Sequence, residues 1–363
     1  MKEILLTEEM IKNSVLNNGN PYRILKIFEK LKRGEEITYV ALGGSITEGA
    51  WASSPEFRYA NLLVKWMKEK FPSGKVNFVN AGIGCTGSIV GVHRLDRDVL
   101  CYNPDFVTVE YSVNEREGDT TVEFYDNLVN NILNHPSLPA VLCVGLTCGN
   151  RVTAQNSHIK IAKHYDLPYI SYHNAVWPRI ERGEFEFKDL TPDDVHPNNT
   201  GHALVAGLVT DYFENIINKK SKEYVDIICD KPIVNNKYRN AKIYLLNDIT
   251  PQNYGCFEEE ETKIRTAPYG WAAHENGEPL EFLIKNCIAV HLLYRRTVGG
   301  GKAVAEVCGK QLEINSDFQC SDFSYYENAL VYSSDKSQDV VLTITPKLEK
   351  DKVFTVCGIM VAY

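Results

Sequence analysis

Ser45, Asn114, Asp193 and His196 suit one reaction between them, attack of an activated hydroxyl on an acyl carbon. Ser45 follows Gly43-Gly44 in the stretch ITYVALGGSITEG, residues 37–49. Small residues around a serine where a strand ends can present its hydroxyl beside backbone N–H groups. Taken alone, the same stretch also reads as a phosphate-cradling glycine turn or a plain strand–helix connection. Asp193-Asp194-Val195-His196-Pro197 supplies a base: a carboxylate three residues before an imidazole can reach Nδ1, fix the tautomer and turn Nε2 toward the serine. Asp194 is the poorer partner, because adjacent residues in an extended or turning loop point apart. Asn114, in Tyr111-Ser112-Val113-Asn114-Glu115, offers a neutral amide to an oxyanion. The glycine-rich turn Gly82–Gly87 lets backbone N–H groups approach a ligand closely. Each piece has a bland reading, as a turn, a helix cap or a loop end. Their order and their placement at strand ends make the joint reading.

The elements that must carry these residues alternate. Helical periodicity over Ile24, Ile27, Phe28 and Leu31 follows the cap Asn20-Pro21, and a strand then runs to Ser45. The pattern predicts a helix over 57–70, a strand over 76–79, a helix over 87–100 and a strand over 106–111. After these come a helix over 120–133, a strand over 140–146, a helix over 156–165, a strand over 169–171 and a long helix over 198–218. Such alternation means a parallel sheet covered on both faces. After Lys219-Lys220-Ser221-Lys222-Glu223 short alternating runs such as EFLIK, VAEVCG and VVLTIT take over, which predicts an all-β sandwich or jelly roll. The expected division is therefore 1–222 and 223–363, with Glu258–Glu261 as a solvated loop.

At 363 residues with 44% hydrophobic and 24% charged residues, the chain is long enough for two globular domains. Its net charge of −8 has no basic cluster, which argues against nucleic acid or an anionic membrane as partner. The N-terminal MKEILLTEEM lacks a sustained apolar core and no run is long enough to span a bilayer, so a cytoplasmic location is expected. Ten cysteines sit singly without zinc spacing; thiols in a reducing compartment, no metal and no cofactor are the expectation.

The four blocks together resemble the SGNH, or GDSL-like, hydrolases over residues 35–217. GGSITEG is similar to the serine block, NAGIGCTGS to the glycine block, RLDRDVLCYNPDFVTVEYSVNE to the asparagine block and DDVHPNNTGH to the final Asp-x-x-His block. The resemblance implies a flavodoxin-like three-layer α/β/α fold and metal-free ester hydrolysis through an acyl-enzyme. It implies Ser45 as nucleophile, His196 as general base and acid, and Asp193 as its orienting partner. The implied oxyanion donors are the N–H of Ser45, a backbone N–H at Cys85, where the family usually has glycine, and the Asn114 amide. Gly84 is the implied substrate contact beside them. Glu115 stands where Asp is commoner, which alters only the support of Asn114.

The GGSITEG form and the C-terminal β-module resemble bacterial carbohydrate acetylesterases of the acetyl-mannan type, which implies acetylated mannan- or xylan-derived oligosaccharides as substrate. A lipid esterase or thioesterase, and a non-catalytic carbohydrate-binding protein, are the rival readings; a homo-oligomer is left open. In the β-module, Tyr269–His274 is expected at a sandwich rim with Trp271 gripping sugar, against the alternative that Trp271 packs in the module's own core.

Overall fold

The structure, a computed structural model, describes residues 4–219, 224–226, 231–319 and 324–363. The chain divides into two compact units, Met1–Asn236 and Lys237–Tyr363. The boundary expected after residue 222 lies outside the described residues.

In the first unit, six strands form one sheet: β1 (Val15–Asn17), β2 (Glu36–Gly43), β3 (Lys75–Gly82), β4 (Phe106–Glu110), β5 (Ala140–Gly145) and β6 (Tyr169–Ser171). Their order is β1-β6-β5-β4-β2-β3, all parallel except the edge strand β1. Strand parity places the side chains. Ile37, Tyr39 and Ala41 of β2 join an apolar cluster with the helices Tyr22–Lys32, Tyr59–Lys70 and Asn199–Asn218, while Val40 and Leu42, equally buried, point to the opposite face. On that face the helices Ser88–His93, Asp119–Leu133 and Gln155–His164 pack together. The expected three-layer α/β/α arrangement is present.

Three elements were not expected. The helix Glu8–Ser14 and the three-residue β1 are too short to show a period, and the helix Tyr172–Glu181 carries Pro178 in its interior, a helix-breaking signal. The helix expected over 87–100 is interrupted at Arg94, giving Ser88–His93 and Leu95–Asp98. Arg94 is fully buried, and its guanidinium donates to the carbonyl of Ala81 at 2.6 Å and to the Tyr111 hydroxyl at 3.1 Å.

The second unit is all-β and every strand pairing in it is antiparallel. Its strands are β7 (Ala241–Leu245), β8 (Glu258–Glu261), β9 (Tyr269–Ala273), β10 (Leu280–Arg296), β11 (Lys302–Val307), β12 (Lys310–Asn315), β13 (Tyr325–Lys347) and β14 (Phe354–Ala362). The order is β12-β11-β13-β10-β14-β9-β8, with β7 added to β14. In β10, Leu280, Phe282 and Ile284 face the core; a register shift between Ile284 and Cys287 puts Cys287 there, and a second between Cys287 and Ala289 returns Val290, Leu292 and Tyr294 to it.

Two expectations fail here. Glu258–Glu261 is a strand, β8, not a loop; it lies at the sheet edge with all four residues exposed, where charge discourages pairing with another chain. Trp271 is not at a rim. It sits inside β9, 1% exposed, its ring edge-on to Phe282 at 5.1 Å. It belongs with Phe257, Ala273 and Phe282 to the module's apolar core cluster, so it offers no face to a sugar. Trp271→Ala is therefore expected to lower unfolding stability by ~3–5 kcal/mol, measured by denaturant titration, without selectively raising KM for any saccharide.

Candidate active site

The register of the parallel strands sets the site. Gly43 of β2 pairs with Gly82 of β3 on one side and with Glu110 of β4 on the other, so three strands end side by side. The chain leaves each end into a loop that carries an expected residue: Ser45, Cys85 and Asn114.

Ser45 is the first residue of a one-turn helix, Ser45–Glu48, capped by Gly44. Its hydroxyl donates to His196 Nε2 at 2.8 Å. The opposite ring nitrogen, Nδ1, meets Asp193 Oδ2 at 2.6 Å, while Asp193 Oδ1 accepts the backbone N–H groups of Val195 and His196 at 3.0 and 2.7 Å. With Nδ1–H given to the carboxylate, Nε2 presents its lone pair to the serine. Burial works to raise the Asp193 pKa, but the hydrogen bonds from the His196 ring and from the two backbone N–H groups outweigh it and hold the carboxyl below its ordinary range. Asp194 is turned away in a left-handed conformation, with its carboxylate 3.9 Å from Lys188.

Two hydrogen-bond donors beside Ser45 are uncommitted. Neither the N–H of Ser45 nor the Asn114 side chain has a hydrogen-bond partner among the described residues. Asn114 lies against Gly44 so closely that a Cβ on Gly44 would come 3.0 Å from its Oδ1 and 3.2 Å from its Nδ2. Gly44 is thus the residue that admits the amide. On the other side, a Cβ at Gly82 would lie 2.2 Å from the N atom of Glu48, so that glycine lets β3 abut the serine turn. Asn80 ties the two together: its Nδ2 donates to the Thr47 carbonyl at 2.8 Å and its Oδ1 accepts from Gly82 N–H at 2.9 Å.

Gly84 and Cys85 come to the same place. The Gly84 N–H is held by Glu48 Oε2 at 2.8 Å, so Gly84 shapes the turn and does not offer that donor to a ligand. Cys85 is exposed in a left-handed conformation, φ 58°, one residue further on.

Beneath these loops lies a buried polar layer that periodicity did not disclose. Glu110, fully buried, accepts the Thr47 hydroxyl at 3.1 Å, and Thr47 is also bonded to the Tyr59 hydroxyl at 2.8 Å. Glu115 accepts Ser88 N–H at 2.6 Å and the Ser88 hydroxyl, and its other oxygen meets His158 Nε2 at 2.6 Å. His158 stacks on Tyr125 with ring centroids 3.8 Å apart. A signal for Glu110 was present: it is the one charged residue within the apolar strand Phe106–Glu110.

The family whose sequence model matches this chain, over residues 41–204, is the GDSL-like lipase/acylhydrolase family. The first domain is a GDSL-like acylhydrolase domain. Across its full length the chain is similar to a two-domain esterase active on acetylated mannans, whose structure is known alone and co-crystallised with mannopentaose. The identity is 28%. The match covers 97% of this chain and 98% or 97% of the other, with TM-scores of 0.89 and 0.88 respectively. An acetyl xylan esterase aligns at 22% identity and a TM-score of 0.42, covering 48% of this chain and 98% of its own. No curated protein matches the chain by sequence. The protein is a carboxylic ester hydrolase. No helix among the described residues is long and apolar enough to cross a membrane.

Two outcomes follow from this geometry. Gly44→Ala displaces the Asn114 amide and is expected to lower kcat on the order of 10- to 100-fold, measured by steady-state kinetics, with little change in Tm. Glu110 titrates differently in the folded chain: burial raises its pKa from 4.5 to about 7 against the opposing hydrogen bonds. The native state then holds a proton that the unfolded chain releases. The resulting stability is fully present below pH ~4.5 and is lost as pH rises to about 7, on the order of 3 kcal/mol. In urea titrations at pH 5 and pH 8, Glu110→Gln should therefore shift in stability relative to wild type in the variant's favour at the higher pH.

Proposed function

We propose that this protein removes O-acetyl groups from acetylated oligosaccharides, of the kind derived from mannan or xylan, through an acyl-enzyme on Ser45. The observation that carries the reading is the unbroken hydrogen-bonded line from Ser45 Oγ through His196 to Asp193, beside two uncommitted donors. The full-length likeness to a two-domain esterase active on acetylated mannans supports the substrate class.

In this mechanism His196 Nε2 takes the Ser45 proton as Oγ bonds to the acetyl carbon. The N–H of Ser45, the Asn114 Nδ2–H and the backbone N–H of Cys85 receive the developing oxyanion. The C–O bond to the sugar then breaks, and His196 returns its proton to the departing hydroxyl. Water, deprotonated by the same nitrogen, attacks the acetyl-serine and releases acetate. Asp193 stabilises the imidazolium formed in each half and holds the ring in place. Because its own carboxyl is held below the ordinary range, it stays ionised at neutral pH.

The deciding experiment measures acetate released from acetylated manno- and xylo-oligosaccharides, compared with hydrolysis of long-chain p-nitrophenyl esters. Acetate release with little activity on the long chains is expected; a preference for long acyl chains would overturn the substrate reading. Ser45→Ala should lose at least ~10⁴-fold in kcat and Asn114→Ala ~10²–10³-fold, with thermal unfolding nearly unchanged. A Ser45→Ala enzyme retaining a tenth of wild-type turnover removes Ser45 from the nucleophile's role.

A further inference from the structure

The loop that follows the serine helix carries Trp51, and its setting differs from that of the other three tryptophans. Trp271 and Trp177 are buried and Trp66 packs against the apolar cluster, whereas Trp51 is 55% exposed. Its ring has no aromatic partner, and its indole N–H no acceptor, among the described residues. It also occupies the left-handed region at φ 62°, a conformation that a bulky side chain rarely adopts. An exposed indole held at a strained backbone position is costly twice over, and such combinations persist where a ligand uses them.

The backbone on either side of Trp51 is tied to both halves of the catalytic line. The Ser45 carbonyl accepts the N–H groups of Gly49 and Ala50, each at 2.9 Å. Since Ala50 immediately precedes it, Trp51 Cα lies no more than about 8 Å from that carbonyl oxygen. The Ala50 carbonyl meets His202 Nε2 at 3.2 Å. Ser53 N–H donates to Asn199 Oδ1 at 2.9 Å, and Asn199 Nδ2 donates to the Ser53 hydroxyl at 2.8 Å. Asn199 opens the helix that begins three residues after His196. The indole is thus carried on a short loop anchored to the nucleophile's turn and to the helix behind the base.

We infer that Trp51 is the sugar platform of this site: a pyranose ring of the acetylated oligosaccharide stacks on its exposed face while the ester reaches Ser45. The chemistry suits a neutral pyranose, whose axial C–H groups present an apolar patch to an aromatic face and whose hydroxyls can accept from the indole N–H. This inference rests on the proposed function and names the residue that would grip its substrate.

The test compares Trp51→Ala and Trp51→Phe with wild type on acetylated manno-oligosaccharide and on p-nitrophenyl acetate. A loss in kcat/KM about 10-fold larger on the oligosaccharide than on the small ester is expected for Trp51→Ala, carried by KM, with Trp51→Phe recovering most of it. Equal losses on the two substrates, or an unchanged KM for the oligosaccharide, overturn the inference. An independent arm titrates unacetylated mannose oligosaccharides and follows tryptophan fluorescence: a saturable change in wild type that disappears in Trp51→Phe supports the platform, and no change overturns it. If wild type hydrolyses p-nitrophenyl acetate but releases no acetate from any acetylated sugar, the substrate reading falls, and the fluorescence arm alone decides Trp51.

Discussion

The parallel register that aligns Gly82, Gly43 and Glu110 is the constraint from which the site follows, because it fixes where three loops begin. Ser45 lies two residues past its strand end, Cys85 three and Asn114 four, so a one-residue slip in either pairing would move a donor by more than 3 Å. The strands can end so close together only because the residues there are small. Gly43 and Gly82 leave room for the serine turn to fold back on β3 and β4, and Gly44 leaves room for the Asn114 amide. Shape at these ends comes before chemistry. The serine, the glycine turn and the amide converge because backbone is packed against backbone.

Packing alone would leave those loops free to shift, and a second, polar layer holds them. Glu110 and Glu115 stand five residues apart, one at the end of β4 and the other in the loop beyond it, and each binds an element that carries or directly follows a site residue. Glu110 takes the hydroxyl of Thr47 in the serine helix, and Glu115 takes Ser88 at the start of the helix after the glycine turn. Burying two carboxyls is expensive unless each is hydrogen-bonded. Glu115 meets that condition with Ser88 and His158, whereas Glu110 meets it in part by keeping its proton more tightly. The Glu115 side chain has the reach to span Ser88 and His158 at once.

Much of this was legible from residue types and spacing. The strand ends, the Asp193–His196 spacing and the preference for Asp193 over Asp194 follow from local geometry that three or four residues determine, and the structure places these groups together as such rules require. What could not be read depended on tertiary surroundings. Trp271 in Pro-Tyr-Gly-Trp resembles a rim loop until the pairing of β9 with β14 is known, and that pairing buries it. Four consecutive glutamates look solvated, and they are, but as an edge strand paired with β9, and four charges in a row hide the alternation by which a strand is read. Trp51, among Ala and Ser residues, had no apolar neighbours in sequence to pack it, which was a sign of exposure that the search for periodic patterns passes over.

The loops around Ser45 also share a form of strain. Trp51, Cys85, Arg151 and Asp194 are all non-glycine residues in the left-handed region, and each belongs to a loop at the strand ends or to the loop that bears His196. Such residues cost ~1–3 kcal/mol apiece and persist only where their surroundings over-determine them. Here the restraints can be named. Ala50 is held by the Ser45 carbonyl, Gly149 N–H donates to the Asp194 carbonyl at 2.8 Å, and Arg151 N–H donates to the Cys148 carbonyl at 2.9 Å. A Cβ at Gly149 would strike the Asp194 side chain at 2.7 Å, so the loop after β5 braces the His196 loop directly. These bonds hold the His196 loop and the Ser45 turn in place with no ligand bound, so the proposed chemical step would begin with little reorganisation. The same economy explains why the indole of Trp51 can be left bare: its backbone is already fixed, and a sugar that stacks on it need order only itself.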